Sequence, residues 1–477
     1  MMISKFVLLT FSTANIFSDI FYYILCGVLA LAVLLGIHLM SKVEKAHIGN
    51  KISAIAIALG IIITLIKKDI LPVWIIYPGM ATGIFIGLFL ARKVKMIEMP
   101  ELVALLNGIG GTASAIVASF ALFSLYPGND LFGRTTASLA VVIGLITLSG
   151  SLIAAGKLHK LLDQKPVIFS FHRLIAGCIL LILIVLILTS GFTGIFQFTF
   201  LLLAIVLFSS AFGIVFSIRV GGADMPITIS FLNSLSGVAA AIAGFAVKDI
   251  LLVSVGGIVG ASGLFLTQIM CKAMNRRLYD ILLGRTILYD NNKVKEESRE
   301  IVSNLKDKEV IDPLAIMESA RQVIIVPGYG MALAQAQHLV KKLAGKLAEK
   351  GAVVKYAIHP VAGRMPGHMD VLLIEAGVPF EDVYEMDDIN EEFKDADLTI
   401  VVGANDVLNP AARDAVGTPI YEMPILNVDH CKNILIFNYD LQPGYSGVDN
   451  PIYRRDEGVC IIQGNALETL DEVLNKM

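Results

Sequence analysis

GGADMPITISFLNSLSG, residues 221–237, decides how the chain is read. A carboxylate, Asp224, and a proline, Pro226, stand at the mouth of an apolar run, and an amide, Asn233, follows within it. In a helix at 3.6 residues per turn, Asn233 lies about two and a half turns beyond Asp224. An acid here has two readings. It caps the helix, because Asp accepts hydrogen bonds from first-turn amides, or it belongs to an ion path, because ionisable groups in membrane segments are costly and mark function. Asn233 is either structural glue between helices or a polar lining.

The pattern occurs twice. EMPELVALLNGIGGTASA begins at Glu98 and DMPITISFLNSLSGVAAA at Asp224, 126 positions later. Both read acid-Met-Pro, then Leu-Asn, then a run of small residues. Pro100 and Pro226 suit the first helical turn, and Glu98 and Asp224 suit the N-cap. Two parallel copies around an axis along the membrane normal are expected, with Asn107 and Asn233 near their interface. Gly108, Gly110, Gly111 and Ser234, Ser236, Gly237 permit close helix approach.

The composition agrees with a membrane protein. Of 477 residues, 56% are hydrophobic, and the mean hydropathy is +0.73, well above that of a soluble chain. Charged residues are sparse up to about Met270 and dense from Arg276 onward, which separates a membrane part from a soluble part. A net charge of -3 argues against nucleic acid as a partner. The five cysteines (Cys26, Cys178, Cys271, Cys431, Cys460) show no metal-ligand spacing, and no metal site is expected. The first apolar run reads as a spanning helix, not a signal peptide. Nine apolar runs are long enough to cross ~30 Å of hydrocarbon: 21–40, 52–66, 73–91, 102–125, 136–156, 174–190, 195–217, 227–246 and 250–271, the second being the shortest. Alternate loops hold fourteen Lys and Arg against five on the other side. The positive-inside rule then places the N-terminus outside and the C-terminal part in the cytoplasm. The expected domains are 1–275 in the membrane, a polar linker 276–315, and 316–477 as an α/β domain.

In that last domain QVIIVPGYGMALAQAQHLVKKLAGKLAEKGAVVKYAI reads strand, glycine turn, amphipathic helix, strand. Further strands are expected at LTIVVG, PILNV, NILIFN and VCIIQG. This is the pattern of a doubly wound, Rossmann-like dinucleotide-binding domain. Gly328-Tyr329-Gly330-Met331-Ala332 gives the G-x-G start of a dinucleotide fingerprint without its third glycine. The second strand ends at Ile358-His359 with no acid to hold a ribose 2′-hydroxyl. Arg364 follows, which favours NADP(H) unless it is simply a surface arginine. GANDVLNPAA (403–412) follows a buried strand at the end where such sheets bind ligands; Gly403, Ala404, Asn405 and Asp406 are the candidates. Asp406 is suited to a nicotinamide carboxamide or to sensing a proton, the alternative being a plain turn residue. PGYSGVDNP (443–451) offers Gly444, Tyr445 and Ser446 as a lid. His359 and His368 stand without a nucleophile and receive no catalytic role.

GGADMP…LNS, MCKAMNR, PGYGMALAQAQ, HPVAGRMPGHM and GANDVLNPAA, in this order, resemble the beta subunit of the proton-translocating NAD(P) transhydrogenase. The resemblance implies a membrane domain and an NADP(H)-binding domain in this chain. It also implies an alpha-subunit partner carrying NAD(H), a dimer of such pairs in the inner membrane, and hydride transfer from NADH to NADP⁺ coupled to proton movement. Asp224, Asn233, Asn107 and Asp406 are then the residues expected to couple the two events. Asn107 stands where some members carry a histidine, so the titrating group is sought in the partner or near Asp224. Asn438-Tyr439 stand where the family often has Lys-Arg around the 2′-phosphate, with Asp440 beside them. The other reading is a membrane channel or transporter gated by a dinucleotide-sensing domain, which needs no NAD(H)-binding partner.

Overall fold

The structure, a computed structural model, describes residues 19–41, 45–95, 98–125, 130–163, 166–167, 169, 171–192, 195–221, 224–274, 277–283, 312–363, 367–416, 418, 420–444, 446–455 and 457–477. The chain divides into two compact units: Met1–Gly156, Phe169–Ile218 and Ser230–Leu264 form one, and Lys157–Ile168, Arg219–Ile229 and Phe265–Met477 the other.

The apolar half folds into nine long helices among the described residues: α1 (Asp19–Met40), α2 (Ala46–Lys67), α3 (Ile76–Lys93), α4 (Met99–Ser124), α5 (Leu131–Leu158), α6 (His172–Ser190), α7 (Ile195–Ile218), α8 (Met225–Val247) and α9 (Ile250–Ala273). Helices are the expected form, because a chain in hydrocarbon must satisfy its backbone groups within each segment. Eight of the nine are long and apolar enough to span a membrane. The exception, α3, has 18 residues and ends on Arg92 and Lys93. The run expected to be short is a full helix, α2, of 22 residues. Hydroxyls are satisfied in the same way as the backbone: Thr112 Oγ1 donates to Gly108 O at 2.8 Å, and Thr147 Oγ1 to Ile143 O at 2.8 Å.

The repeat is visible in the packing. Gly111 of α4 lies on α5, where an added Cβ would stand 2.6 Å from Gly144 O and 2.8 Å from Thr147 Cβ. Gly237, its counterpart in α8, lies on α9, with Gly260 N at 2.5 Å from the same added atom. Ser234 Oγ adds a hydrogen bond to Gly260 O at 2.6 Å. The two copies also meet at equivalent positions, since a Cβ on Gly110 would sit 3.8 Å from Ser236 Cβ. Ala118, Val141, Ile146, Leu183, Ile205 and Ala243 fill the space between α4 to α8.

After α9 a short helix, α10 (Leu278–Leu283), falls within the expected linker. The description resumes with α11 (Pro313–Ser319), capped by Asp312, whose Oδ1 accepts from Leu314 N at 2.9 Å. Six strands follow: β1 (Gln322–Pro327), β2 (Val353–Ile358), β3 (Val383–Glu385), β4 (Leu398–Val402), β5 (Ile434–Asn438) and β6 (Val459–Gln463). They form one parallel sheet in the order β3-β2-β1-β4-β5-β6. This is the doubly wound order, with its switch point between β1 and β4. β1, β4 and β5 are buried almost throughout, as expected of parallel strands covered on both faces. The helices α12 (Tyr329–Ala334), α13 (Gln337–Glu349), α14 (His368–Glu375) and α15 (Ala466–Lys476) connect or close the sheet. Val340, Leu343 and Leu347 form the buried stripe of α13, and Leu470, Val473 and Leu474 that of α15.

One sequence expectation fails here, and one strand has no counterpart in the sequence reading. PILNV, 424–428, is not a strand: Pro424 O accepts from His359 Nε2, Ile425 O from Asn390 Nδ2, and Leu426 N donates to Val407 O. Its backbone is taken by side chains and a loop, which leaves no ladder. The edge strand β3, three residues long, was not expected.

Glycines that touch and glycines that do not should differ under substitution. Gly237→Val is expected to destabilise the detergent-purified chain by about 1–3 kcal/mol through overpacking. Gly83→Val, where an added Cβ meets nothing within 4 Å, should leave the thermal midpoint unchanged. Equal midpoints for the two variants would contradict the packing described.

Candidate functional site

The turn after β1 and the loop after β4 interlock at the switch point. Gly330 N donates to Gly403 O at 2.8 Å, Gly328 N to Val402 O at 2.8 Å, and Met331 N to Gly328 O at 3.1 Å. A Cβ on Gly328 would lie 2.6 Å from Ala404 Cα, and one on Gly330 would lie 2.7 Å from Gly403 Cα. Gly403 itself has φ +70°, a conformation that favours glycine. These glycines close one loop on the other, and the amides of Gly328, Gly330 and Met331 are engaged inside the protein.

The loop after β4 is in turn tied to the loop after β5. Asp406 accepts from Ser446 N at 3.0 Å and from Ser446 Oγ at 2.8 Å. Asn405 Nδ2 donates to Gln442 O at 2.9 Å, and Asn450 Nδ2 to Asn405 Oδ1 at 3.0 Å. Buried Asn409 donates to Val448 O and Asp449 O at 3.3 and 3.2 Å. An added Cβ on Gly444 would stand 2.5 Å from Asp406 Oδ2, so only a glycine lets the carboxylate in this close. Asp449 pairs with Arg454 at 2.8 Å. Gly328 to Ala332, Gly403 to Asp406, Gly444 and Ser446 are therefore gathered at the carboxyl ends of β1, β4 and β5, where doubly wound sheets take their ligands.

The family model described as NAD(P) transhydrogenase beta subunit matches residues 22–476. NAD(P) transhydrogenase subunit beta of Rhodospirillum rubrum is 39% identical over 469 residues, covering 95% of this chain and 98% of that protein. A second subunit beta of that species, from strain ATCC 11170, matches equally. The chain belongs to the NAD(P) transhydrogenase beta subunit family. Members of this family work in coupling hydride transfer between NADH and NADP⁺ to proton translocation, which accounts for a nucleotide-type sheet and a polytopic helical half in one chain.

In this transhydrogenase subunit Asn438 is 6% exposed, and its Nδ2 donates to Ala404 O at 3.0 Å and to Tyr453 Oη at 2.9 Å. Its amide braces the loop after β4. Tyr439, by contrast, is 77% exposed. Asp440 accepts from Gln442 N at 3.0 Å. Burial, reinforced by the charges of Asp406 and Asp440 and opposed by the Asn438 hydrogen bond, holds the Tyr453 phenol above its usual range. Arg364 and Tyr445 lie outside the described residues. In the helical half, Asp224 and Asn107 are buried, Asn233 is half-buried and contributes its carbonyl to Ser236 Oγ at 2.7 Å. Asp224 directly precedes α8, with its backbone carbonyl accepting from Thr228 N and Thr228 Oγ1. Glu98, expected to cap α4, does not do so through its side chain, whereas Pro100 does occupy the first turn. Sequence reading missed Tyr453, Asn409 and Asn450. Only the recurrence of Asn beside Gly and Asp in the two loops hinted at the last two.

His359, after β2, is buried with Nε2 donating to Pro424 O at 2.8 Å and Nδ1 accepting from Val361 N at 3.2 Å. Burial lowers its pKa from 6.5 to about 4, against the opposing pull of the Pro424 carbonyl. The folded state thus resists a proton that the unfolded state accepts. Stability from this group is complete above the unfolded value and is lost as pH falls through 6.5 towards 4, in total on the order of 3 kcal/mol. Calorimetry of the purified chain from pH 7 to 4 should show this loss, and His359→Asn should show a shallower one. Equal slopes would contradict the assignment.

Proposed function

We propose that the gathered loops bind NADP(H), and that Asp224, with Asn233 and Asn107, lies on the proton path of the same subunit. The observation that carries the membrane part is a carboxylate only 3% exposed at the start of an apolar helix; such groups are expensive and serve function. For the dinucleotide, the absence of an acid where β2 gives way to His359 favours a 2′-phosphorylated ligand. The site offers the loops at the carboxyl ends of a doubly wound sheet, with the Asn405 and Ser446 side chains, here bonded to Gln442 O and Asp406, as polar groups that can turn to a dinucleotide. When bound, the nicotinamide supplies the hydride chemistry. The protein's part is to orient it: the loop from Gly403 to Asp406 forms the floor, with Gly444 against Asp406 and Ser446 bonded to it. Proton binding near Asp224 and NADP(H) binding are linked, so each alters the affinity of the other by the same factor.

The NAD(H) site is assigned to an alpha-subunit partner, because this chain carries one dinucleotide fingerprint. The working assembly is a dimer of alpha/beta pairs. Residues 1–275 form the membrane domain, 276–315 the linker and 316–477 the NADP(H) domain. With α3 counted as a crossing, the fourteen-to-five distribution of basic residues puts the N-terminus outside the inner membrane and the NADP(H) domain in the cytoplasm.

The test is vesicles holding both subunits, with proton uptake and hydride transfer recorded together. Asp224→Asn is expected to remove coupled proton movement while NADPH still binds. Coupled pumping at the parental rate in that variant would reduce Asp224 to a helix-mouth residue.

A further inference from the structure

The side chain of Lys157 is unusual among the described lysines. Lysines at helix ends ordinarily extend their ammonium into water. Lys157, one residue from the end of α5, is 1% exposed. A buried ammonium is costly unless it is hydrogen-bonded, and its Nζ donates to Val220 O at 2.8 Å, 63 positions along the chain. Val220 is 2% exposed and lies in the connection between α7 and α8. The next carbonyl, Gly221 O, accepts from Asp224 N at 3.2 Å. Arg219 and Asp224, on either side, are 4% and 3% exposed. Pro166, from the segment after α5, backs the same connection, with its Cγ 3.1 Å from a Cβ placed on Gly221. Two successive carbonyls are thus held, one by the Lys157 ammonium and one by the Asp224 amide.

We propose that Lys157 is a positioning residue that fixes Val220, between α7 and α8, and thereby sets where Asp224 stands at the mouth of α8. It rests on the reading of Asp224 above only for its functional consequence. The ammonium holds Val220 O; without it that link to α5 is lost and a buried carbonyl loses a donor, an arrangement that opens to water.

The experiment uses the full chain in membranes with its alpha partner. Val220→Cys is treated with a membrane-permeant maleimide, and the adduct at position 220 is quantified by peptide mass spectrometry, so the native cysteines stay in place. With Lys157 present, labelling should be slow. Lys157→Met should speed it at least tenfold, and Lys157→Arg, which keeps a cationic donor, should return it to near the parental rate. In the same membranes without Val220→Cys, Lys157→Met should lower protons moved per hydride transferred, and Lys157→Arg should restore that ratio. A residue important only for packing would lower both rates together and leave the ratio alone. Parental labelling in Lys157→Met, or equal acceleration in the Met and Arg variants, overturns the proposal. If Lys157→Met is not recovered in membranes, Lys157→Gln, with a shorter donor, should label at an intermediate rate; a parental rate there also overturns it. The labelling does not depend on the chemistry of Asp224, so a failed tether and a failed proton role are told apart.

Discussion

The hydrogen bond from Gly330 N to Gly403 O, 2.8 Å long, is possible only because neither residue carries a Cβ. The approach it represents, with backbone against backbone at the switch point, constrains everything around it. β1 and β4 must be adjacent and parallel, and their loops must leave the sheet at the same end. With Gly403 fixed, Ala404 O meets the Asn438 amide at the end of β5, and Asp406 meets Ser446. An assembly of three loops follows from one glycine contact, and the polar groups of these loops are engaged with one another. Such a site is preorganised, and movement of one loop must be felt by the other two.

The helical half uses the same device in a different solvent. Hydrophobic burial gives little drive for helix association in lipid, so close packing and hydrogen bonds between helices must supply it. Gly111 on Gly144 and Gly237 on Gly260 bring backbones together in the two repeat copies, and Ser234 adds a hydrogen bond in the second. Within this close packing the chain retains polar groups that lipid would reject: Asn107, Lys157, Arg219 and Asp224 are all buried. Their tolerance depends on local partners such as the Val220 carbonyl beside Lys157.

Much of this was legible in the sequence, for physical reasons. The repeat could be read because polar and small residues stand out against an apolar background, and the doubly wound sheet because apolar runs alternate with an amphipathic helix such as α13. Where the reading fell short, the deciding contacts are distant in sequence. PILNV has strand composition, yet its carbonyls are taken by His359 and Asn390. β3 is too short to show a period. The bracing of Asn438 by Tyr453, fifteen positions on, is a further pair that no local pattern announces. Lys157 counted as one more basic loop residue; its burial depends on a carbonyl in another helix connection.

The central claim is that the interlocked loops at the carboxyl ends of β1, β4 and β5 are where this transhydrogenase subunit holds its dinucleotide. Hydrogen exchange of the full chain with and without NADPH tests it most directly. The account predicts slowed exchange confined mainly to residues 328–336, 403–412 and 438–450. Unchanged exchange there, with slowing instead at the opposite end of the sheet around Gln322, Lys355 and Glu392, which line a hollow of about 190 Å³, would contradict it.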